Sequence, residues 1–445
     1  MELDFPILYE DNHLIAVVKP ANLPVQADSS GDEDLLSLLK SYIKEKYQKP
    51  GDVYLGLVHR LDRPVGGVMV FARTSKAAAR LTEQFRSHAA KKQYAALTRE
   101  AAPVFAKLSD YLLKDEKTNT VSVVDAQTPG AKAASLSFRL AARENGLSLL
   151  NVSLNTGRPH QIRVQLKNAG LPIHGDARYN PDSRPGEQIA LFGYALTLSH
   201  PTTKQQLRFC ALPEGGVWRA FSGALESLSG EPRTVYQDEN ILVVNKPRGM
   251  TTAAADGGEK TLEDALCGQY GEIYPVHRLD ANTGGLVLFA RNPAAREALD
   301  AAIEAHAVKK TYRCIVRGTP ASPEATLTAY QKKDAENARV AVFPSPAPGA
   351  KTIVTRYRVL KSDGRLSLLE VEPVTGRTHQ IRAHLAFAGY PLLGDERYGD
   401  WALNKAYSIT QQALWAVRLE LSFPGDSALR YLDGKAFSCS APFAL

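Results

Sequence analysis

The feature that most limits how this chain can fold is that most of it is written twice. LYEDNHLIAVVKP at Leu8–Pro20 returns as VYQDENILVVNKP at Val235–Pro247, and VHRLDRPVGGVMVFAR at Val58–Arg73 returns as VHRLDANTGGLVLFAR at Val276–Arg291. KKQYAAL at Lys91–Leu97 becomes KKTYRCI at Lys309–Ile315. NTGRPHQIRVQLKNAGLPIHGDARY at Asn155–Tyr179 becomes VTGRTHQIRAHLAFAGYPLLGDERY at Val374–Tyr398. The blocks keep their order and are shifted by 218 residues at Asp62/Asp280 and 219 at Arg163/Arg382. Solenoid repeats run to roughly 20–50 residues, so a period this long is a duplicated domain. A chain of 445 residues also exceeds what one hydrophobic core usually serves. The expected organisation is one domain over 1–221, a linker over 222–234 and a second domain over 235–445. The linker reading rests on FSGALESLSGEPRTVY, which is rich in Ser and Gly and shows no sustained periodicity.

Each copy carries the same pattern of elements. A short apolar strand (His13–Lys19; Ile241–Lys246) precedes a Pro turn and an amphipathic helix near Leu35–Tyr47 or Leu262–Tyr270. The HRLD segment reads as a loop entering a β run, Gly67–Ala72 or Gly285–Ala290. A helix follows, Lys76–His88 or Ala294–His306, then a strand opening at the Lys-Lys pair. Ala134–Leu140 with Leu147–Val152, and Ile353–Val359 with Leu366–Val371, read as hairpins closed at Asn145-Gly146 and Asp363-Gly364. HQIR then opens a helix. Strands outnumber helices without strict alternation, so the expected class is α+β with a mainly antiparallel sheet.

Composition narrows the function classes. At 44% hydrophobic and 23% charged residues the chain has the balance of a globular protein, and it lacks the apolar run of ~18 residues that a membrane helix needs. MELDFPILYEDNHL places acids where an export signal needs a basic start and an apolar stretch. Cys210, Cys267, Cys314 and Cys439 are scattered, with no C-x-x-C pair for a zinc site or disulfide framework. Together these features predict a cytoplasmic protein without a metal. The net charge of +7 favours a polyanionic partner. That charge is uneven: residues 1–221 hold 28 Lys and Arg against 22 Asp and Glu, net +6, and the remainder 26 against 25, net +1.

Chemistry concentrates in two blocks per copy. His59-Arg60-Leu61-Asp62 and His277-Arg278-Leu279-Asp280 stand directly before a strand, followed by Gly66-Gly67 and Gly284-Gly285, which would let backbone approach a ligand or turn sharply. A lone Asp in such a loop is commonly a turn-former. Here Arg63-Pro64-Val65 has drifted to Ala281-Asn282-Thr283 while HRLD has not, which singles out the motif. The second block, G-R-x-H-Q-I-R, supplies Arg158, His160 and Arg163, and Arg377, His379 and Arg382. Ile162 and Val164 between the polar positions imply partial burial, and a partly buried Arg needs an anionic partner. The Asp of HRLD is the candidate, and pairing would keep it ionised for nucleophilic work. No phosphate-cradling, dinucleotide, zinc-protease or nucleophile-elbow motif occurs, and no second acid near HRLD suits paired-carboxylate chemistry. The site is therefore expected to run without a metal or cofactor. Lys19-Pro20 and Lys246-Pro247 read as routine turns, and Asp176 and Asp395 as turn or supporting residues.

These blocks resemble the RluA-type pseudouridine synthases of ribosomal or transfer RNA: H-R-L-D followed by Gly, K-x-Y, G-R-x-H-Q-I-R and G-D-x-x-Y, in order, in both halves from Leu8 to Leu212 and from Val235 to Leu445. Where that family often has Ser-Gly after HRLD, this chain has Val65-Gly66-Gly67 and Thr283-Gly284-Gly285. The resemblance implies two tandem pseudouridine synthase domains, each a mixed, largely antiparallel sheet with flanking helices and a central catalytic cleft. It implies cofactor-free isomerisation of uridine, with the catalytic aspartate at Asp62 and Asp280. The active-site tyrosine falls at Tyr94 and Tyr312, and the arginine paired with the aspartate at Arg163 and Arg382. The carboxylate could attack C1′ covalently or take the C2′ proton to give a glycal, and the sequence leaves both routes open. Arg60, Arg158, His160, Arg278, Arg377 and His379 are the expected RNA contacts. The expected partner is ribosomal RNA, then transfer RNA, with no membrane or nucleotide cofactor and a monomeric chain. Two alternatives stand beside this: one copy is catalytic and the other holds RNA, or the chain is a non-catalytic RNA-binding or ribosome-assembly factor.

Overall fold

Apolar runs and alternating stretches become one mixed sheet in each half of a computed structural model, which describes residues 3–28, 30–99, 102–253, 261–334, 339–407, 409–423 and 427–445. The chain divides into two units, Met1–Ser229 and Gly230–Leu445. In the first unit the strands are β1 (Ile7–Glu10), β2 (Leu14–Lys19), β3 (Gly56–Leu57), β4 (Gly66–Ala72), β5 (Lys91–Arg99), β6 (Phe105–Asp115), β7 (Thr120–Val124), β8 (Lys132–Glu144), β9 (Leu147–Leu154), β10 (Leu191–Ser199) and β11 (Gln206–Cys210). The helices are α1 (Leu35–Lys46), α2 (Ser75–Arg86), α3 (Gln161–Asn168) and α4 (Ser222–Leu228).

The sheet order is β1-β2-β4-β10-β5-β9-β8-β6-β7, with β11 on β10 and β3 on β4. Its pairings are antiparallel except β4 with β10. β4 is buried at every position, because helices cover both of its faces. Leu35, Leu39 and Ile43 of α1 pack on Ile15, Val17, Met69 and Phe71. Ala77 and Leu81 of α2 pack on the alternate set, Leu14, Ala16, Val68 and Val70. Helix α3 lies over the other half of the sheet, where Val164 meets Leu112, Val121 and Ala134.

The double glycine has a structural cause. Gly67 adopts φ +143° and lies beside Gly193 in the parallel pair, where an added Cβ would fall 2.5 Å from the Gly193 carbonyl oxygen. The counterpart Gly285, at φ +115°, would fall 2.3 Å from the Ala416 carbonyl. The close approach anticipated for a ligand is thus an approach of two strands. Asn145 and Gly146 both take positive φ, 51° and 72°, the turn that a two-residue hairpin requires.

The second unit repeats the topology. Its strands are β12 (Arg233–Gln237), β13 (Ile241–Lys246), β14 (Tyr274–Pro275), β15 (Gly284–Ala290), β16 (Val308–Arg317), β17 (Glu324–Asp334), β18 (Arg339–Phe343), β19 (Lys351–Ser362), β20 (Leu366–Pro373), β21 (Leu414–Leu421) and β22 (Ala436–Ser438). They are ordered β12-β13-β15-β21-β16-β20-β19-β17-β18, with β15 and β21 parallel. Helices α5 (Leu262–Tyr270), α6 (Pro293–Glu304) and α7 (Gln380–Phe387) match α1 to α3 in chain order. The helix α8 (Trp401–Ala406) follows the G-D-x-x-Y block. Among the described residues no helix is long and apolar enough to cross a membrane.

The stretch read as a linker over 222–234 is corrected in two places. Ser222–Leu228 is helix α4, and Arg233–Gln237 is β12. Phe221, Ala224, Leu225 and Leu228 recur at helical spacing and pack with Trp218, Leu97 and Tyr194, so this segment belongs to the first unit's core. The interleaved Ser and Gly hid that stripe in the sequence.

Candidate active site

The loop carrying Asp62 is fastened on both sides. Before it, His59 Nε2 accepts the Val70 backbone N–H at 3.0 Å, and burial pulls the imidazole down to about 3, keeping it neutral. After it, the fully buried Lys19 donates from Nζ to the carbonyls of Pro20 (2.8 Å), Leu23 (2.7 Å) and Arg63 (3.0 Å). The second copy repeats both fastenings. His277 Nε2 accepts from Leu288 N–H at 3.1 Å, and Lys246 Nζ reaches Pro247 (3.0 Å), Met250 (2.7 Å) and Ala281 (3.1 Å). Burial draws both lysines down to about 7, against the raising effect of Asp62 or Asp280. Lys19 and Lys246 are therefore not routine turn residues: each ties the chain just past the aspartate of the HRLD loop to the end of a central strand.

The arginine comes from the opposite side. His160 caps α3 in the left-handed region, at φ 50°, and His379 does the same for α7, at φ 53°. A non-glycine residue held there in both copies marks a position that the surroundings over-determine. Gln161 stabilises this entry: its Oε1 accepts from Thr156 Oγ1 and the Arg158 N–H, both at 2.9 Å, and its Nε2 donates to the Ser135 carbonyl at 3.1 Å. Gln380 binds Thr375, Arg377 and Val354 in the same way. Neither glutamine was singled out from sequence, although both sit in the unchanged G-R-x-H-Q-I-R block.

One turn on, Arg163 is wedged between two carboxylates. Its Nε and Nη2 bind Asp176 at 2.9 and 2.6 Å, and its Nη1 reaches Asp62 Oδ2 at 3.2 Å. In the second copy Arg382 binds Asp395 at 2.6 and 3.0 Å and Asp280 at 2.8 Å. Arg163 and Asp176 are 5% and 1% exposed, whereas the Asp62 side chain keeps 25% exposure. Burial would lower the Arg163 pKa, but Asp176 and then Asp62 raise it overall. One arginine thus holds a buried structural carboxylate with two bonds and an open one with a single bond.

His160 completes the group. The Tyr179 hydroxyl accepts the Val121 N–H at 2.9 Å and shares a hydrogen bond with His160 Nδ1, 2.6 Å away. The other ring nitrogen, Nε2, faces Asp62 Oδ2 at 3.9 Å. Val340, Tyr398, His379 and Asp280 form the same chain, ending at 3.8 Å. Burial lowers both histidines, more than the aspartates raise them.

In the first unit the other residues singled out from sequence lie near Asp62. Arg60, Asp62, Tyr94, Arg158, His160 and Arg163 line one cleft in the first unit. Tyr94 is 6% exposed and Tyr312 8%. Burial and then the neighbouring aspartate push both phenols upward, so they stay protonated. Arg60, Arg158, Arg278 and Arg377 are exposed, as a contact for a large polyanion needs to be. Arg158 Nε is partly engaged, donating to the Ala133 carbonyl at 3.0 Å. Among the described residues no group of three or more His, Cys, Asp and Glu side chains is arranged to hold a metal.

The family model for RNA pseudouridylate synthases matches residues 13–168 and again residues 240–387. The chain belongs to that family. An uncharacterized RNA pseudouridine synthase of Bacillus subtilis, YhcT, is 36% identical over 204 residues, covering 44% of this chain and 65% of the relative. A ribosomal large subunit pseudouridine synthase D of Zymomonas mobilis is 36% identical, covering 43% and 64%. A tRNA pseudouridine synthase C of Pectobacterium carotovorum is 33% identical, covering 43% and 55%. The chain thus spans less than two thirds of the length of these relatives, and each alignment is about one copy long. As RNA pseudouridylate synthase domains, the two units carry the family's sequence blocks on the two clusters described above.

Proposed function

We propose that each copy isomerises a uridine in structured RNA to pseudouridine, with ribosomal RNA as the first candidate substrate and transfer RNA as the second. The observation that carries this is a half-open carboxylate, Asp62 or Asp280, held by an arginine that a second, buried carboxylate anchors, in a chain of this family. The reaction breaks the N1–C1′ bond, turns the uracil and joins C5 to C1′. Asp62 and Asp280 act at the sugar, either by bonding to C1′ or by taking the C2′ proton. Arg163 and Arg382 hydrogen-bond that carboxylate and hold it in position. Tyr94 and Tyr312 stack on the detached base. Their phenols stay protonated, so in removal of the C5 proton they pass a proton along rather than serve as phenolate bases. Arg60, Arg158, His160, Arg278, Arg377 and His379 hold the flipped nucleotide and its flanking phosphates. The proposal includes a monomeric, cytoplasmic enzyme that needs no cofactor.

Tritium release from RNA labelled at uridine C5 tests the reading. Asp62→Ala and Asp280→Ala each remove part of the release, and the double variant removes all of it. If one single substitution abolished everything, the other copy would be an RNA-holding platform. The surplus charge of residues 1–221 (net +6 against +1) makes the first copy the candidate for that role. No release from the unsubstituted chain on total cellular RNA would leave a non-catalytic RNA-binding factor.

A further inference from the structure

A half-buried cation in each copy lacks an anion. Lys92, two residues before Tyr94 on β5, lines the same cleft as Asp62 and Tyr94. Burial lowers its pKa, and no carboxylate is close enough to offset the effect. Among the described residues its ammonium has no hydrogen-bond or ion-pair partner; it stands 5.9 Å from the centre of the Phe85 ring and near the neutral His59, whose own pKa it depresses. Lys310 of β16 repeats the case: burial lowers it, nothing raises it, and it depresses His277. Lys19 and Lys246 are buried more deeply, yet each has three carbonyl acceptors. Even a partly desolvated charge left unpaired is costly. Its presence at the same place in both copies suits a site whose counter-charge arrives with the substrate.

We infer that Lys92 and Lys310 are catalytic residues that contact the oxygens of the departing uracil. This rests on the uridine-isomerase reading of the cleft. When N1–C1′ breaks, its electron pair leaves with the base and spreads from N1 onto O2 and O4. The ammonium hydrogen-bonds that developing oxyanion without transferring a proton; the charge is neutralised as C5 bonds to C1′ (freeing the aspartate, or with the C2′ proton returned), and C5 then loses its proton while N1 gains one. RNA phosphates are the other anion at hand, but the exposed Arg60 and Arg158 stand ready at the rim for those. The lysine sits beside the tyrosine on which the base would stack, so it meets what enters deepest. A preorganised donor aimed at charge that exists only during the reaction accelerates the step instead of tightening binding.

With the second copy silenced by Asp280→Ala, Lys92→Met is compared with Lys92 and Lys92→Arg on RNA labelled at uridine C5. RNA affinity is measured separately in the Asp62→Ala/Asp280→Ala chain with and without Lys92→Met. The expected result is a loss of about 100-fold in kcat, with KM and RNA affinity unchanged and part of the rate restored by Lys92→Arg. Lys310→Met in the Asp62→Ala chain gives the same readout from the other copy, should Lys92→Met fold poorly. An unchanged kcat in either copy overturns the inference. So does a loss confined to KM and RNA affinity, which would place the lysine on a phosphate. Absence of release from the unsubstituted chain is a separate outcome, because it strikes the isomerase reading before any lysine is changed.

Discussion

Asp176→Ala removes both hydrogen bonds that anchor Arg163 and leaves a guanidinium that is 5% exposed with one remaining partner, Asp62 at 3.2 Å. Breaking a buried ion pair from one side costs about 3–5 kcal/mol, because the surviving charge stays desolvated. The residual bond to Asp62, whose side chain is 25% exposed, puts this case at the lower end, about 3 kcal/mol. In a unit the length of Met1–Ser229 each kcal/mol moves the melting temperature by about 2–4 °C, so calorimetry should show a drop of about 6–12 °C. Tritium release from the first copy should fall as well, since nothing else fixes the arginine that holds Asp62. The double variant Arg163→Met/Asp176→Leu separates the two effects. Replacing a whole buried pair by apolar side chains is often neutral or better, so stability should return while activity does not. A loss below about 1 kcal/mol for Asp176→Ala, or a double variant no more stable than the sum of its singles, would refute the wedge argument.

Two further predictions test the frame around the site. Gly67→Ala would set a Cβ 2.5 Å from the Gly193 carbonyl, and should cost about 2 kcal/mol or more by urea denaturation. Gly170→Ala, at φ +74° with nothing within 4 Å, should lose only about 1 kcal/mol, and equal losses would rule out the close-approach explanation. For Lys19 and Lys246 the folded-state pKa, about 7, lies below the ordinary 10.5. Between those values the unfolded chain binds more protons, so their burial makes stability rise with pH from about 7 to 10.5; below 7 the cost of the buried charge is fully present. Lys19→Met should flatten that rise by up to about 1.4 kcal/mol per pH unit in urea midpoints, and an unaltered slope would contradict the assignment.

Legibility from sequence followed the kind of partner each residue has. Asp62, Arg163 and His160 stood out because their partners are other side chains in the same repeated blocks. Strands with strong alternation or wholly apolar runs were placed well: Ile241–Lys246 was expected and found, and Gly67–Ala72 gained one residue. Lys19 and Gln161 were passed over because most of their partners are backbone carbonyls or amides, which any sequence supplies. The β6–β7 hairpin escaped notice for a related reason. Phe105–Asp115 is only half-buried, with Lys107, Ser109, Asp110 and Lys114 spread over both faces, so its period-two signal is faint. In α4 a helical stripe of four apolar residues was masked by Ser and Gly between them.

The wedge also bears on whether one copy has retired to holding RNA. A platform needs exposed cations and a stable fold, and neither depends on a buried arginine between two aspartates. A buried ion cluster contributes little net stability compared with apolar packing of the same volume, so a copy kept only for binding could lose it without penalty. Yet Asp280, Arg382 and Asp395 keep the arrangement of Asp62, Arg163 and Asp176, and His379 keeps the same 3.8 Å approach to its aspartate. Lys310 even keeps an unpaired, half-buried charge, which stability alone would disfavour. What differs between the copies lies outside these groups. The net charge falls from +6 to +1, and the stretch after the G-D-x-x-Y block carries the 74%-exposed Trp401 where the first copy has Asn180-Pro181-Asp182. Chemistry held constant while the surface around it changes is the pattern of two working sites that meet different stretches of RNA, and it is why we read both copies as catalytic.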